Sequence, residues 1–322
     1  MNTELHHWLP IRVALQERGW FVDWCWFGDK PLSEPFYRDS VQHAMRLPFN
    51  QALRRETSLD ELLEWQRHSP GLAPRAFIHH ASRCGSTLIA QLLASIDRHI
   101  VVSEPAPLDS LLRAHFFDPG APAHQTAWVD ALLSAFGQPR RGLEQNLVVK
   151  LDSWNIFEAP FLHTRYPDTP WIFLYRDPLE IVVSQLHQPG THMVPGMIGP
   201  SLLAFNAEES AMMTPLEFVT RCIGRILQQG LTQCLANGGI PVNYSELPGA
   251  VWGRLAPLFD VREGDLERLR QAAGRDAKQP GMGFVADTQR KREAASEQVR
   301  EAVERWAREP YLALESLRLS QA

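Results

Sequence analysis

Ala76-Phe77-Ile78-His79-His80-Ala81-Ser82-Arg83-Cys84-Gly85-Ser86-Thr87-Leu88-Ile89 is the stretch from which the rest can be organised. A short apolar run, Ala76 to His79, ends in a turn with one glycine. Leu88, Ile89, Leu92, Leu93 and Ile96 then mark one face of a helix. Strand, glycine turn and helix together make an anion cradle. Gly85 lets the backbone come close to a ligand, and the first free N–H groups of the helix point at it with partial positive charge. Ser86 and Thr87 add hydroxyl donors, and Arg83 adds a guanidinium that can fork to two oxygens. For this segment taken alone, a capped helix start beside a solvated arginine is the plainer alternative.

Working outward, further β-rich runs occur at Ile100–Val102, Leu147–Val149, Trp171–Tyr175 and Ile240–Tyr244, with helical stretches between them. Alternation of this kind predicts an α/β fold, a parallel sheet flanked by helices on both faces. Ligands of such sheets lie at the carboxyl ends of the strands. Residues 1–72 read differently. They are rich in aromatics (Trp8, Trp20, Phe21, Trp24, Trp26, Phe27, Phe36) and carry one helix signal, in which Thr57 and Ser58 precede Leu59, Leu62, Leu63 and Trp65. Ser69, Pro70, Gly71 and Pro74 punctuate a boundary. The expected organisation is an N-terminal extension over residues 1–72, acting as a substrate cap or interface, and a nucleotide-binding catalytic domain over residues 73–322.

The 322 residues carry a formal charge of −5, which offers no general attraction to nucleic acid, so any polyanion site must be built locally. The four cysteines, Cys25, Cys84, Cys222 and Cys234, have no metal-ligand spacing, and a reduced, cytoplasmic setting is expected. The opening MNTELHHWLP lacks a basic region followed by an apolar run, so no signal peptide is expected, and no run is long enough for a membrane span.

A second motif follows the run Trp171–Tyr175: Arg176-Asp177-Pro178-Leu179-Glu180-Ile181-Val182-Val183-Ser184. Asp177 is a good N-cap, Pro178 suits the first helical position, and Glu180 is placed to close a capping box. Arg176 then sits at a strand's carboxyl end and Ser184 about two turns into the helix. A surface arginine and a helix serine would explain each residue singly, but not a second cationic strand end beside the first.

Together the two motifs resemble the sulfotransferase family, which uses PAPS (3′-phosphoadenosine 5′-phosphosulfate). Arg83, Cys84, Gly85, Ser86 and Thr87 are similar to the family's 5′-phosphosulfate loop, with Cys84 where serine is usual. Arg176 and Ser184 match its 3′-phosphate pair at the same spacing. Asn243-Tyr244-Ser245-Glu246-Leu247 resembles a stretch after a later strand. Thr288-Gln289-Arg290-Lys291, with Trp306, resembles a late basic segment that closes over the nucleotide. The resemblance spans roughly residues 75 to 315. It implies a P-loop NTPase-like sulfotransferase fold, PAPS as donor with PAP as product, no metal, and a nucleotide site built from Arg83, Cys84, Gly85, Ser86, Thr87, Arg176, Ser184, Tyr244 and Lys291.

Two carboxylates compete for general base. Glu104 follows Val101-Val102-Ser103, as the base does in carbohydrate and some bacterial members of the family. Asp152 follows Lys150-Leu151, where cytosolic members have histidine, so a histidine mechanism does not carry over. Glu104 is favoured, with Asp152 as orienter or alternative base. Lys150 is a candidate to stabilise the transferring sulfonate or, equally, a solvated strand-end lysine. His79 and His80 are expected to make ordinary strand-end hydrogen bonds. The stretch Gln188–Pro200, with His192, Met193 and Met197, reads as a mobile substrate-side loop.

The expected activity is transfer of a sulfuryl group from PAPS to a hydroxyl or amine of an unidentified small-molecule or carbohydrate acceptor. Two rivals are a P-loop kinase using ATP and a non-catalytic nucleotide-binding protein. The first needs a Walker lysine, and Ser86 stands in its place. The second would tolerate loss of Glu104.

Overall fold

The computed structural model describes residues 5–278, 281–283 and 288–321, the last without the side chain of Thr288. Residues 1–4, where the leader reading begins, lie outside it.

Among the described residues, eight strands form two sheets. β1 (Trp8–Gln16), β2 (Gly19–Trp26) and β3 (Arg55–Ser58) make an antiparallel sheet in that order. In the sequence this region shows only its aromatics and the helix signal after Ser58, and no strand pattern is marked there. Its alternation explains the strands: along β2, Trp20, Val22 and Trp24 are buried while Phe21 and Asp23 are less so. Trp24 donates its indole N–H to Thr57 Oγ1 of β3 at 2.8 Å, so a buried polar group is satisfied across the sheet. The helix expected after Ser58 is present at Leu59–His68. Ser58 accepts from the Glu61 amide and Glu61 reaches back to the Ser58 amide, closing a capping box.

β4 (Pro74–His80), β5 (His99–Ser103), β6 (Asn146–Lys150), β7 (Trp171–Tyr175) and β8 (Ile240–Asn243) form the central sheet in the order β5-β6-β4-β7-β8. It is the parallel five-stranded sheet flanked by helices that the sequence predicts, and each expected run lies on a strand. The pairs β5–β6 and β7–β8 are parallel. β5, β6 and β7 are buried at every position, because a sheet covered on both faces has no wet side and so no alternation. β8 ends at Asn243, and Tyr244 opens a 3₁₀ turn, Tyr244–Glu246. Chain order reverses about β4, and in such sheets the ligand crevice forms outside the carboxyl ends at that point.

The chain divides into two compact units. One holds the chain up to Phe77, Thr87–Leu151 and the segment from Val251 through the helix Leu266–Ala273. In it Arg98 is the central tie: Nε donates to Asp260 at 3.1 Å and Nη1 to Asp265 at 2.8 Å, with Asn146 also donating to Asp260 at 2.9 Å. The other holds Ile78–Ser86, Asp152–Ala250 and the C-terminal helices Thr288–Ala294, Glu297–Trp306 and Arg308–Ser320. There Glu315 accepts from the Tyr175 hydroxyl at 2.5 Å and from the Asn243 amide at 2.9 Å, which fastens the last helix to β7 and β8. Among the described residues no helix is long and apolar enough to cross a membrane.

Candidate functional site

The loop after β4 departs from ordinary backbone geometry. Ser82 and Arg83 have φ of 63° and 48°, and Gly85 has 89°. Left-handed backbone at a residue with a Cβ costs about 1–2 kcal/mol, so this shape is held by its surroundings. Contacts among the described residues hold it. The Ser82 amide donates to His80 Nδ1 at 3.1 Å, Gln185 donates to Ser82 Oγ at 2.8 Å, and Arg83 donates to the Gln188 carbonyl at 2.6 Å. Cys84 is fully buried and turns its thiol to the Leu174 carbonyl at 3.2 Å. Ser86 and Thr87 begin the helix Ser86–Ala94. The loop therefore presents amides and hydroxyls of the kind an anion needs.

Gly85 shows how close the packing is. A Cβ there would lie 2.7 Å from Tyr244 Cδ2 and 3.0 Å from Leu247 Cδ1. The Tyr244 ring takes that space, and it also receives Arg176, whose Cζ lies 4.0 Å from the ring centroid. The first loop and the second cationic strand end thus meet on one aromatic ring. Arg176 is 4 % exposed, and its Nε donates to Glu180 at 2.5 Å. Here the structure corrects the capping-box expectation for Glu180. Asp177 does cap, accepting from the Leu179 amide at 3.0 Å, but the Glu180 carboxylate is taken by guanidiniums. Arg292 also reaches it, at 2.9 Å, and reaches Asp177 at 3.4 Å. The reason is burial: a carboxylate 2 % exposed is far more stable against two cations than against an amide. Ser184 lies half-buried further along the helix Pro178–His187. Lys291, half-buried, is carried by the same short helix as Arg292.

The carboxylate and lysine candidates form a second group. Register pairs Ser103 with Lys150 across β5 and β6, so the two strands end level. Glu104, the next residue, has φ of 53° and donates its amide to the Lys150 carbonyl at 2.7 Å. Its carboxylate accepts from Lys150 Nζ, which also lies 3.3 Å from Ser103 Oγ and 4.9 Å from the centre of the Phe36 ring. Lys150 has no exposed surface, which removes the reading of it as a solvated strand-end lysine. Asp152 is the N-cap of the 3₁₀ turn Ser153–Phe157, and its amide donates to Asn155 Oδ1 at 3.2 Å.

The histidines beside the cradle differ from expectation. His80 takes part in the loop, but His79 is fully buried, and among the described residues neither of its ring nitrogens finds a hydrogen-bond partner. It packs against His163 and Trp171, at ring centroid distances of 5.5 Å and 5.4 Å. Burial, with His163 and His80 nearby, holds its pKa well below the usual histidine value. Among the described residues no group of three or more His, Cys, Asp or Glu side chains is placed to hold a metal.

Two solved structures that align with the chain are sulfotransferases. No protein-family model matches the chain, and no curated protein does. The sulfotransferase domain of the Synechococcus PCC 7002 olefin synthase aligns with a TM-score of 0.39 and 16% identity, over 77% of this chain and 95% of that one. The sulfotransferase STF1 from Mycobacterium tuberculosis H37Rv aligns with a TM-score of 0.37 and 15% identity, over 75% and 81%.

Gln185 carried no signal in the sequence, and the contacts of Leu247 and Phe36, marked there only as part of a motif stretch and an aromatic run, carried none either. Gln185 braces the loop through Ser82, Leu247 crowds Gly85, and Phe36 lies against the Lys150 ammonium. Each acts through a contact with a residue distant in the chain, which neither periodicity nor a motif reports.

Proposed function

We propose that this protein is a sulfotransferase that moves a sulfuryl group from PAPS to a hydroxyl or amine of an acceptor. The observation that carries the reading is the meeting of Gly85 and Arg176 on the Tyr244 ring. It puts an amide-rich anion loop and a second, separate cation into one neighbourhood, as a donor with phosphate groups at both its 5′ and 3′ positions requires. The fit of the residues is chemical as well: Gly85 leaves the loop backbone bare, and a side chain there would collide with Tyr244. On this reading Arg83, Cys84, Gly85, Ser86 and Thr87 hold the 5′ end, and Cys84 contributes through its backbone. Arg176 and Ser184 hold the 3′-phosphate, Lys291 closes over the nucleotide, and Tyr244 is a wall. PAPS, when bound, supplies the sulfuryl group and a PAP leaving group.

Glu104 is the base that takes the acceptor's proton, and Lys150 holds that carboxylate in place. Asp152 is the alternative base or an orienter. Transfer chemistry of this type asks for positioning and charge stabilisation rather than covalent help. The N-terminal segment is a substrate cap or an interface, and the cysteine usage of the sequence supports a cytoplasmic setting.

The test is thermal unfolding with PAP, ATP or ADP, in EDTA. A ligand that binds the folded state raises its stability by mass action. PAP should raise the unfolding temperature far more than ATP or ADP, because only PAP carries a 3′-phosphate. Equal shifts with ATP and PAP would favour the kinase alternative.

A further inference from the structure

The segment after Gln188 builds a cavity of about 590 Å³ that the chemistry above does not use. Val194, Ile198, Leu203, Phe205 and Phe218 supply most of its apolar wall, and His192 contributes one polar edge. Among the described residues, none of its lining side chains is an aspartate, glutamate, lysine or arginine. Cys222 also faces it, and burial pushes that thiol up to about 12, so it stays uncharged.

This wall is braced. Arg225 donates to the carbonyls of Ala204 and Leu202, at 3.2 Å and 2.5 Å, and its guanidinium lies 4.7 Å from the centre of the Phe205 ring. Arg221 covers the same ring at 4.8 Å. Phe205 in turn meets Phe218 edge-on at 5.6 Å. Two cations thus hold the wall from behind while leaving the cavity itself apolar.

The cavity is also tied to the cradle. Gln185, fully buried, donates to Ser82 Oγ of the loop and accepts from the Gly190 amide, both at 2.8 Å. Gly190 begins the turn that carries His192 to the cavity, and the Ser153 hydroxyl lies 3.1 Å from His192 Nε2. One side chain therefore sets both the anion loop and the cavity edge.

The stretch of chain that lines the cavity also exposes apolar side chains. Val194, Met197, Leu202 and Met212 are all large hydrophobic side chains at least 40% exposed, and they cluster on this one stretch of chain. Apolar surface gathered around an apolar cavity marks a binding site more often than chance exposure does.

We propose that this cavity binds the acceptor, and that the acceptor is an uncharged molecule with an apolar body, an alkyl chain ending in a hydroxyl. The inference rests on the sulfuryl-transfer reading for the word acceptor, and on the cavity alone for the class of ligand. Sugars and charged metabolites are excluded as occupants, because the wall offers them neither enough hydrogen bonds nor a counter-charge, and an unpaired buried polar group is costly.

The experiment uses straight-chain primary alcohols from butanol to decanol as probes, read by displacement of Nile red fluorescence from the full chain. Affinity should rise about fourfold per added methylene until the cavity is full. Ala211, on the exposed side of the wall, is the site for a filling variant: Ala211→Phe should weaken decanol binding at least tenfold while leaving PAP binding within twofold. Ile198→Asp, which adds a charge to the wall, should do the same by a different route. Affinity that does not depend on chain length, or that both variants leave unchanged, would overturn the proposal even if PAP binds well. Chain-length dependence without any PAP binding would keep the cavity assignment and remove the sulfotransferase reading instead.

Discussion

Lys150 ends on the carboxylate of Glu104, and only one side of that pair reaches solvent: the lysine side chain has 0% of its surface exposed and the glutamate 22%. The arrangement follows from register. Because Ser103 and Lys150 are paired at the ends of β5 and β6, the residue after Ser103 is brought to the lysine with little freedom. A buried lysine demands a partner, and Glu104 supplies it. A carboxylate held this way is fixed in position, which suits a base that must meet a proton in one geometry.

Replacing Glu104 should therefore have two separable effects. Glu104→Gln removes the basicity and should lower turnover by a factor of about 10² to 10⁴. It also leaves the Lys150 charge buried without its partner, at a cost of about 3–5 kcal/mol in stability. The double variant Glu104→Gln with Lys150→Met should recover much of the stability and none of the turnover. Urea unfolding reads the first quantity, and slow PAPS hydrolysis reads the second until an acceptor is known. Asp152→Asn should be milder. Recovery of turnover in the double variant would make Glu104 a structural partner rather than the base.

Gly85→Ala tests the packing of the loop. The residue has φ of 89°, and an added Cβ would sit 2.7 Å from the Tyr244 ring. Left-handed backbone and overpacking together should cost roughly 2–4 kcal/mol. PAP affinity should fall with it, because a shift of the ring disturbs its contact with Arg176. Adding Tyr244→Ala should relieve the steric part of the stability loss and leave the backbone part. A Gly85→Ala protein of normal stability and normal PAP affinity would show that the close approach has no bearing on the site.

Arg176→Ala should weaken PAP by about 1.5–3 kcal/mol, the range for a hydrogen bond to a charged group. Adenosine 5′-phosphosulfate, which has no 3′-phosphate, should be affected little. The comparison of the two ligands matters because Arg176 also pairs with buried Glu180, so the variant loses stability on that account alone. Arg292 still reaches Glu180 and should limit the damage. Isothermal titration of both ligands decides it: equal losses would assign Arg176 to the ion pair and not to the phosphate.

Acid should destabilise the protein before its carboxylates titrate. Desolvation holds His99 and His163 at about 4, and holds His79 well below its ordinary value. These groups bind protons more readily unfolded than folded. Their contribution is thus complete above an unfolded pKa near 6.5 and is lost as pH falls toward 4. At pH 5 the loss should be roughly 2 kcal/mol for each of His99 and His163, with His79 adding to it. Asp97, Asp260 and Asp265, held low chiefly by hydrogen bonds from arginines, lose their contributions in a lower window, below pH 4. Urea midpoints at pH 7.5 and pH 5 measure the difference. His163→Phe keeps a ring against Trp171 and should reduce the pH dependence; an unchanged dependence would exclude His163 from it.

What the sequence by itself determined is local. The run from Ala76 to the helix after Gly85, the five strands of the central sheet, the Ser58 cap and the Arg176-to-Ser184 spacing could all be read from it, because φ restriction, capping and hydrophobic period act over a few residues. Tertiary structure decided the contacts between residues far apart in the chain. Tyr244 fills the space beside Gly85, Glu180 leaves its cap to pair with Arg176 and Arg292, and Cys84 turns inward to Leu174. Whether Lys150 was solvated or buried was undecidable from its neighbours in sequence, and it was settled by the register of β5 on β6. Close approach, register and desolvation belong to pairs of surfaces, and a pair exists only once the chain has folded.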